Sequence, residues 1–246
     1  MCGRFALIDD VHAVEETFGV PGIEAFPPRY NIAPTQPILL VTAGFGRAAG
    51  SNLPDRRALL VRWGLIPGWA KNPKDMPLLI NARSESASEK PAFQAAMRHR
   101  RALVPASGFY EWKRDREGTG QPYWVRPRRG GVIAFAALME TFAEPGGAEI
   151  DTGAMLTAAT TGRIAEIHHR TPIVIAPKDF DRWLDCKRQE PRDVADLMRA
   201  PDPDFFEAIP TSDKVNKVTN TSPDIQDEVP GILAAPKPER AQLSLF

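Results

Sequence analysis

Residues 101–140 read RALVPASGFYEWKRDREGTGQPYWVRPRRGGVIAFAALME, and this stretch decides the fold class. Short apolar or alternating runs at 102–105, 108–113, 123–126 and 132–138 follow one another, bounded by Pro, Gly and charge. Such runs read as β-strands. Further runs of this kind lie at 38–42, 59–63, 155–160 and 172–176. No regular helix alternates with them, which argues against a doubly wound parallel sheet. The expectation is an α+β fold, one domain with a mixed, largely antiparallel curved sheet flanked by short helices.

Helical spacing is expected at 12–18 and at 91–99, where Phe93, Ala96 and Met97 share a face. Residues 178–185, with Cys186 just beyond, and 192–199 also read as helical, and 214–219 as a last strand. The 24 prolines favour turns and short elements. Composition changes near Pro230, so the domain is expected over 1–229, followed by a flexible tail over 230–246.

Hydrophobic residues make up 43% of the chain and charged ones 25%, as in ordinary globular proteins. No apolar run approaches the roughly 18 residues of a membrane helix, and the start MCGRFALIDD lacks the pattern of a signal peptide. Two cysteines make no disulfide framework, so a cytoplasmic location is expected. Net charge is zero but uneven. Residues 1–140 carry 19 Lys and Arg against 13 Asp and Glu, and residues 141–246 carry 12 against 18. A basic first part is compatible with a polyanionic partner.

Candidate chemistry starts at Cys2. Removal of Met1 leaves an amine and a thiol on one residue, with ordinary pKa values of about 7.7–8.0 and about 8.5. Such a 1,2-aminothiol condenses with an aldehyde to an imine and then closes a thiazolidine ring. Asn81 ends the apolar run of LLINARSE and offers both a donor and an acceptor, while Arg83 suits a phosphate. In SGFYEWK, strand alternation sets Phe109 and Glu111 on one face and Tyr110 and Trp112 on the other. A carboxyl beside Phe is poised for a raised pKa and acid–base work. His168, His169 and Arg170 precede an apolar strand, and histidine suits proton transfer near neutrality. Trp69, next to Pro-Gly and near Lys71, is a candidate stacking platform for single-stranded nucleic acid, whereas Trp63 and Trp124 read as core. There is no CxxC or HExxH, and neither a metal nor a cofactor is expected.

In order along the chain, MCGRF (1–5), RYNIAPTQ (29–36), WGLIPGW (63–69), INARSE (80–85), GFYEW (108–112), IHHRTP (167–172) and VNKVTN (215–220) resemble the SOS-response-associated peptidase (SRAP) family, also described as abasic-site processing proteins. The resemblance covers the chain to about residue 226. It implies a DNA-damage enzyme that binds single-stranded DNA and captures abasic sites covalently through Cys2, by Schiff base and then thiazolidine. It further implies Asn81, Glu111 and His168 as the catalytic partners of Cys2, and Arg4, Arg83, Arg170 and Trp69 as DNA contacts. A second aromatic often follows that Trp in the family, and here Ala70 stands in its place. β-Elimination from an unclosed imine implies a weak lyase activity. The family name implies a self-processing peptidase, with only Met1 here to remove.

The tail ends Gln242-Leu243-Ser244-Leu245-Phe246. It resembles the short motif by which bacterial polymerases and repair proteins dock on the DNA sliding clamp. Leu245 and Phe246 would anchor in an apolar pocket, Leu243 would add apolar contact, and Gln242 would bond at the rim. Two other functions fit parts of the sequence. One is an amidohydrolase with an N-terminal Cys nucleophile, and the other a non-catalytic DNA-binding adaptor.

Overall fold

In the computed structural model, residues 2–44, 55–114, 120–144 and 146–231 are described. The tail residues Gln242, Leu243, Leu245 and Phe246 lie outside them. Thirteen strands and three α-helices run through the described residues. In the first half they are β1 (Phe5–Leu7), α1 (Val11–Phe18), β2 (Arg29–Ile32), β3 (Pro37–Ala43), β4 (Arg56–Trp63), β5 (Asn81–Arg83), α2 (Gln94–His99) and β6 (Arg101–Ala106). Then come β7 (Gly108–Arg114), β8 (Gly120–Pro127), β9 (Ile133–Ala143), β10 (Glu149–Ala159), β11 (Arg170–Pro172), β12 (Val174–Ile175), α3 (Phe180–Leu184) and β13 (Phe206–Pro210). The class is α+β with largely antiparallel pairing, as expected. The strands divide over two sheets rather than one.

In the larger sheet β10–β4–β3–β6–β9 are neighbours in turn, and β9 pairs back onto β10, so the five strands close into a ring. Small and branched side chains make closure possible. Ala134, Ala136 and Ala137 stand among Phe135 and Leu138 along β9, all buried. The smaller sheet has the order β13-β8-β7-β1-β2. Its Phe-bearing face packs on the ring: Phe5 meets Trp63 edge-on at 5.2 Å, and Phe109 meets Phe135 at 6.0 Å. Its other face, with Ala6, Tyr110 and Trp124, is covered by Val215 and Ile225. The alternation read in SGFYEWK therefore holds: Phe109 joins the main core and Tyr110 the second cluster.

Several elements differ from expectation. Residues 214–219 form no strand. Ser212 accepts from the Lys214 N–H, and Asp213–Asn216 is a 3₁₀ turn. Its carbonyls are taken by side chains instead of a ladder, as described below. Pro191–Leu197 is likewise 3₁₀, with Pro at its first turn. Residues 177–184 are a 3₁₀ turn followed by the five-residue α3, and Cys186 falls in the turn beyond it. Helix α2 begins only at Gln94. Strands β1, β2, β5 and β13 were not read from the sequence. At three to five residues each, they are too short to show a period.

Gly108 begins β7 in the smaller sheet, where it packs closely against β8. A methyl group there would meet the carbonyl oxygen of Val125 and lie 2.6 Å from the Trp124 ring. Gly108→Ala is expected to destabilise the fold by about 1–3 kcal/mol through overpacking, read as a lowered urea midpoint with an unchanged slope.

Candidate active site

Antiparallel pairing of Phe5 with Phe109 and Ala6 with Gly108, extended by the Tyr110 N–H bonding to the Arg4 carbonyl at 2.9 Å, lays the start of the chain along β7. Continued, that register brings residues 2–3 beside Glu111. Cys2 is completely buried, and its Sγ lies 3.7 Å from the Arg4 carbonyl. From the other side, the Asn81 side-chain Nδ2 donates to the Cys2 carbonyl at 2.7 Å. Asn81 Oδ1 is buried and accepts no hydrogen bond from the described residues. Residue 2 is thus held by its backbone, while Asn81 keeps an acceptor in hand.

Asn81 reaches this position because β5 runs parallel to the end of β10, with Met155 opposite Asn81 and Thr157 opposite Arg83. On the other edge of β10, Thr157 pairs with Pro172 and Ala159 with Arg170. One strand end therefore carries the INARSE and HHRTP segments side by side. His168 precedes that last rung, and its Nδ1 lies 3.7 Å from Glu111 Oε1. The structure brings together all four residues that the sequence picked out for catalysis: Cys2, Asn81, Glu111 and His168.

Burial sets the charge states here. It raises the Glu111 carboxyl from an ordinary 4.5 to about 7. It also pushes the Cys2 thiol up, reinforced by the neighbouring Glu111 charge, and lowers the His168 imidazole. The Arg170 backbone N–H donates to His168 Nδ1 at 3.0 Å, which favours a neutral ring with its proton on Nε2. The Arg170 carbonyl, 3.2 Å from Nδ1, would accept a proton in the other tautomer. Around neutrality this is a site of uncharged or half-charged groups, suited to passing protons.

The four DNA-contact candidates divide into two kinds. Arg83 is exposed on β5, on the same side as Asn81. Trp69 is 58% exposed, its indole N–H held by the Pro91 carbonyl at 3.2 Å. Ala70 beside it is buried with Ile66 and Phe142, so Trp69 is the ring this loop presents. Arg4 and Arg170 instead serve the protein's own backbone. Arg4 donates to Asn31 Oδ1 at 2.6 Å and to the Val215 carbonyl at 2.7 Å, and lies over the Trp112 ring. Arg170 is buried, forked on Glu85 at 2.6 and 2.8 Å and bonded to the Thr157 carbonyl. As the chain stands, a phosphate-contact role fits Arg83 better than Arg170.

Two residues went unnoticed in the sequence. Buried Asn31 donates to the carbonyls of Val215, Lys217 and Asn220, which joins the RYNIAPTQ and VNKVTN segments and explains why 214–219 needs no ladder. Its signal was an Asn inside an otherwise apolar run. Glu85 is the other, with no signal beyond its place in the INARSE segment. Among the described residues no three His, Cys, Asp or Glu side chains group as metal ligands, and no helix is long and apolar enough to cross a membrane.

Compared with known proteins, residues 1–218 match the family described as SOS response associated peptidase (SRAP). The chain is 35% identical over 228 residues to "Abasic site processing protein YoqW" of Bacillus subtilis, covering 92% of this chain and 98% of that protein. It is 32% identical over 201 residues to "Abasic site processing protein YedK" of Escherichia coli, covering 77% and 81%. A crystal structure of a Bacteroides thetaiotaomicron protein superposes with a TM-score of 0.80 at 20% identity, covering 93% of this chain and all of that one, and so shares the fold.

A carboxyl raised by burial gives stability a defined pH dependence. The protonated form is favoured in the folded state, so its contribution is complete below about pH 4.5 and is lost as pH rises through about 7. Glu111→Gln removes this dependence. Relative to the variant, the unaltered chain is expected to lose roughly 3 kcal/mol between pH 4 and pH 8, measured by urea unfolding at both values.

Proposed function

Because the chain belongs to the SOS response associated peptidase (SRAP) family, we propose that it processes abasic sites in single-stranded DNA by forming a covalent link through Cys2. The observation that carries this reading is the hydrogen bond from Asn81 to the Cys2 carbonyl, which fixes residue 2 beside His168 and a half-charged Glu111. The names of the B. subtilis and E. coli relatives agree with abasic sites as the substrate.

The chemistry runs in balanced steps. Removal of Met1 frees the Cys2 amine. The abasic sugar opens to its aldehyde, with Glu111 and His168 moving protons between the ring oxygen and the anomeric hydroxyl. The neutral amine adds to the aldehyde carbon, and loss of one water gives the imine. The Cys2 sulfur then adds to the imine carbon while the thiol proton ends on the nitrogen, closing the thiazolidine. Burial holds the thiol above its ordinary range, so the proton leaves as sulfur attacks, taken by the Glu111 carboxylate and passed on to the nitrogen. Asn81 Oδ1, a buried open acceptor, is placed to orient the amine or a sugar hydroxyl. An imine that escapes closure undergoes β-elimination and cuts the strand, a minor lyase activity. The tail docks the enzyme on the sliding clamp and takes no part in the chemistry.

Incubated with single-stranded DNA bearing one abasic site, the protein should give an adduct that survives heat, with the summed mass less one water. Cys2→Ala should leave only a reversible imine that borohydride traps. A heat-stable adduct at full yield from Cys2→Ala would refute the proposal. Glu111→Gln should slow adduct formation by about 10²–10⁴-fold.

DNA is held by Arg83 and Trp69 at the rim. Affinity for undamaged single strands should fall with salt, and Arg83→Ala should reduce the slope of log K against log salt by about 0.7, one phosphate contact. A slope the same as the parent's would remove Arg83 from the interface.

A further inference from the structure

Glu85 lies outside the four catalytic residues, yet it grips the ladder rung next to His168. Its carboxylate takes both terminal nitrogens of Arg170, at 2.6 and 2.8 Å, and accepts from the Ala159 N–H at 3.3 Å. Ala159 and Arg170 are the paired residues that end the β10–β11 ladder. One side chain therefore ties the two strands together across their last pair. The guanidinium it holds also bonds the Thr157 carbonyl and hydroxyl, so the fork is braced from within β10. Glu85 is itself held in place, because the Ser84 N–H bonds to the Thr157 carbonyl at 2.9 Å.

The consequence falls on the imidazole. The Arg170 backbone N–H points at His168 Nδ1 and its carbonyl lies nearly as close, at 3.0 and 3.2 Å. The two groups belong to successive peptides on either side of the Arg170 Cα, and whichever of them bonds Nδ1 decides which ring nitrogen carries the proton. We infer that Glu85 is a positioning residue for the abasic-site reaction: by clamping the Arg170 side chain it fixes the backbone at residue 170 so that its N–H occupies His168 Nδ1 and the imidazole presents Nε2–H to the sugar.

This assignment separates two uses of an arginine. A guanidinium forked on a carboxylate and 8% exposed orients its own backbone. The groups that face His168 are Glu111 from β7, and His169 and Arg170 on its own segment. The His169 ring lies 4.3 Å from that of His168. From outside the segment the Thr160 N–H holds the His169 carbonyl at 3.0 Å, and Glu85 holds the Arg170 side chain.

The inference rests on the proposed reaction for its purpose, but its test does not need that reaction. In protein labelled with ¹⁵N-histidine, the ring nitrogen shifts report the tautomer directly. Unaltered protein at pH 7.5 should show His168 protonated on Nε2 with Nδ1 as acceptor. Glu85→Gln should convert this to a mixture of tautomers and slow crosslinking at saturating DNA roughly 10-fold, with half-saturation by DNA unchanged. Arg170→Lys, which keeps the charge but cannot fork, should give the same spectral change and serves if Glu85→Gln folds poorly. A proton on Nδ1 in the unaltered protein, or His168 signals in both variants that match it, would overturn the inference. So would a loss confined to DNA affinity. If the unaltered protein formed no crosslink at all, the proposed function would fail while the His168 spectrum still decided the role of Glu85.

Discussion

A strand has two edges, and β10 uses each of them twice. Its first half closes the ring, bonded to β9 on one side and β4 on the other. Beyond Met155 the strand continues past the ring, and its two edges become free for new partners. The parallel β5 takes one and the antiparallel β11 takes the other. An exposed edge costs unpaired backbone groups, so these three-residue strands satisfy β10 while β10 fixes them. The segments carrying Asn81, Arg83 and Arg170 become neighbours through β10, and Glu85 then ties them together by its fork on Arg170. The smaller sheet brings the remaining members, because β1 lies against β7 and so sets Cys2 beside Glu111. The site stands at the seam between a closed ring and the sheet packed on it.

That seam is largely buried, Cys2 and Glu111 almost completely, and burial is what shifts the charge states of its groups. The same cause raises a carboxyl, raises a thiol and lowers an imidazole, because each shift favours the uncharged form. A pocket built of charges would bind charge; one built of neutral groups near their switching points moves protons with little driving force lost. A condensation that expels water and never separates full charge for long suits such surroundings. The cost is a site that destabilises the fold as Glu111 ionises, and large buried aromatic side chains around it, Trp63 and Phe109 among them, offset that cost.

Much of this was legible from the residues, and what was not has physical reasons. Alternation over SGFYEWK placed Phe109 and Glu111 correctly, because a seven-residue strand between two packed faces leaves a period of two in its side chains. The same test is blind to β5 and β11, at three residues each. Residues 214–219 looked like a strand because Val215 and Val218 are β-branched and flanked by polar residues. Their carbonyls go to Asn31 and Arg4, which lie far away in sequence, and no local pattern announces that. Cys2, Asn81, Glu111 and His168 were identifiable one by one by chemistry and together only by resemblance, since their meeting is a property of the topology. Glu85 carried no local mark at all, for a clamp is defined by what it holds.

The uneven charge of the sequence also changes meaning once the structure is known. Several arginines that make the first 140 residues basic are committed internally. Arg4 is bonded to Asn31 and a carbonyl, Arg56 to Asp181, Arg100 to Glu140, and buried Arg101 to the carbonyls of Trp183, Met97, Asp185 and Gln189. Pairing with a carboxylate cancels the charge, whereas bonding to carbonyls and an amide satisfies the donors and leaves the charge standing. Arg4 and Arg101 therefore still contribute to the field around the protein while their donors are bonded within it. A long-range field speeds encounter with a polyanion, and contact groups determine how long it stays. On the proposed DNA-binding reading the two tasks fall to different residues: internally bonded cations for attraction, and the exposed Arg83 and Trp69 for grip.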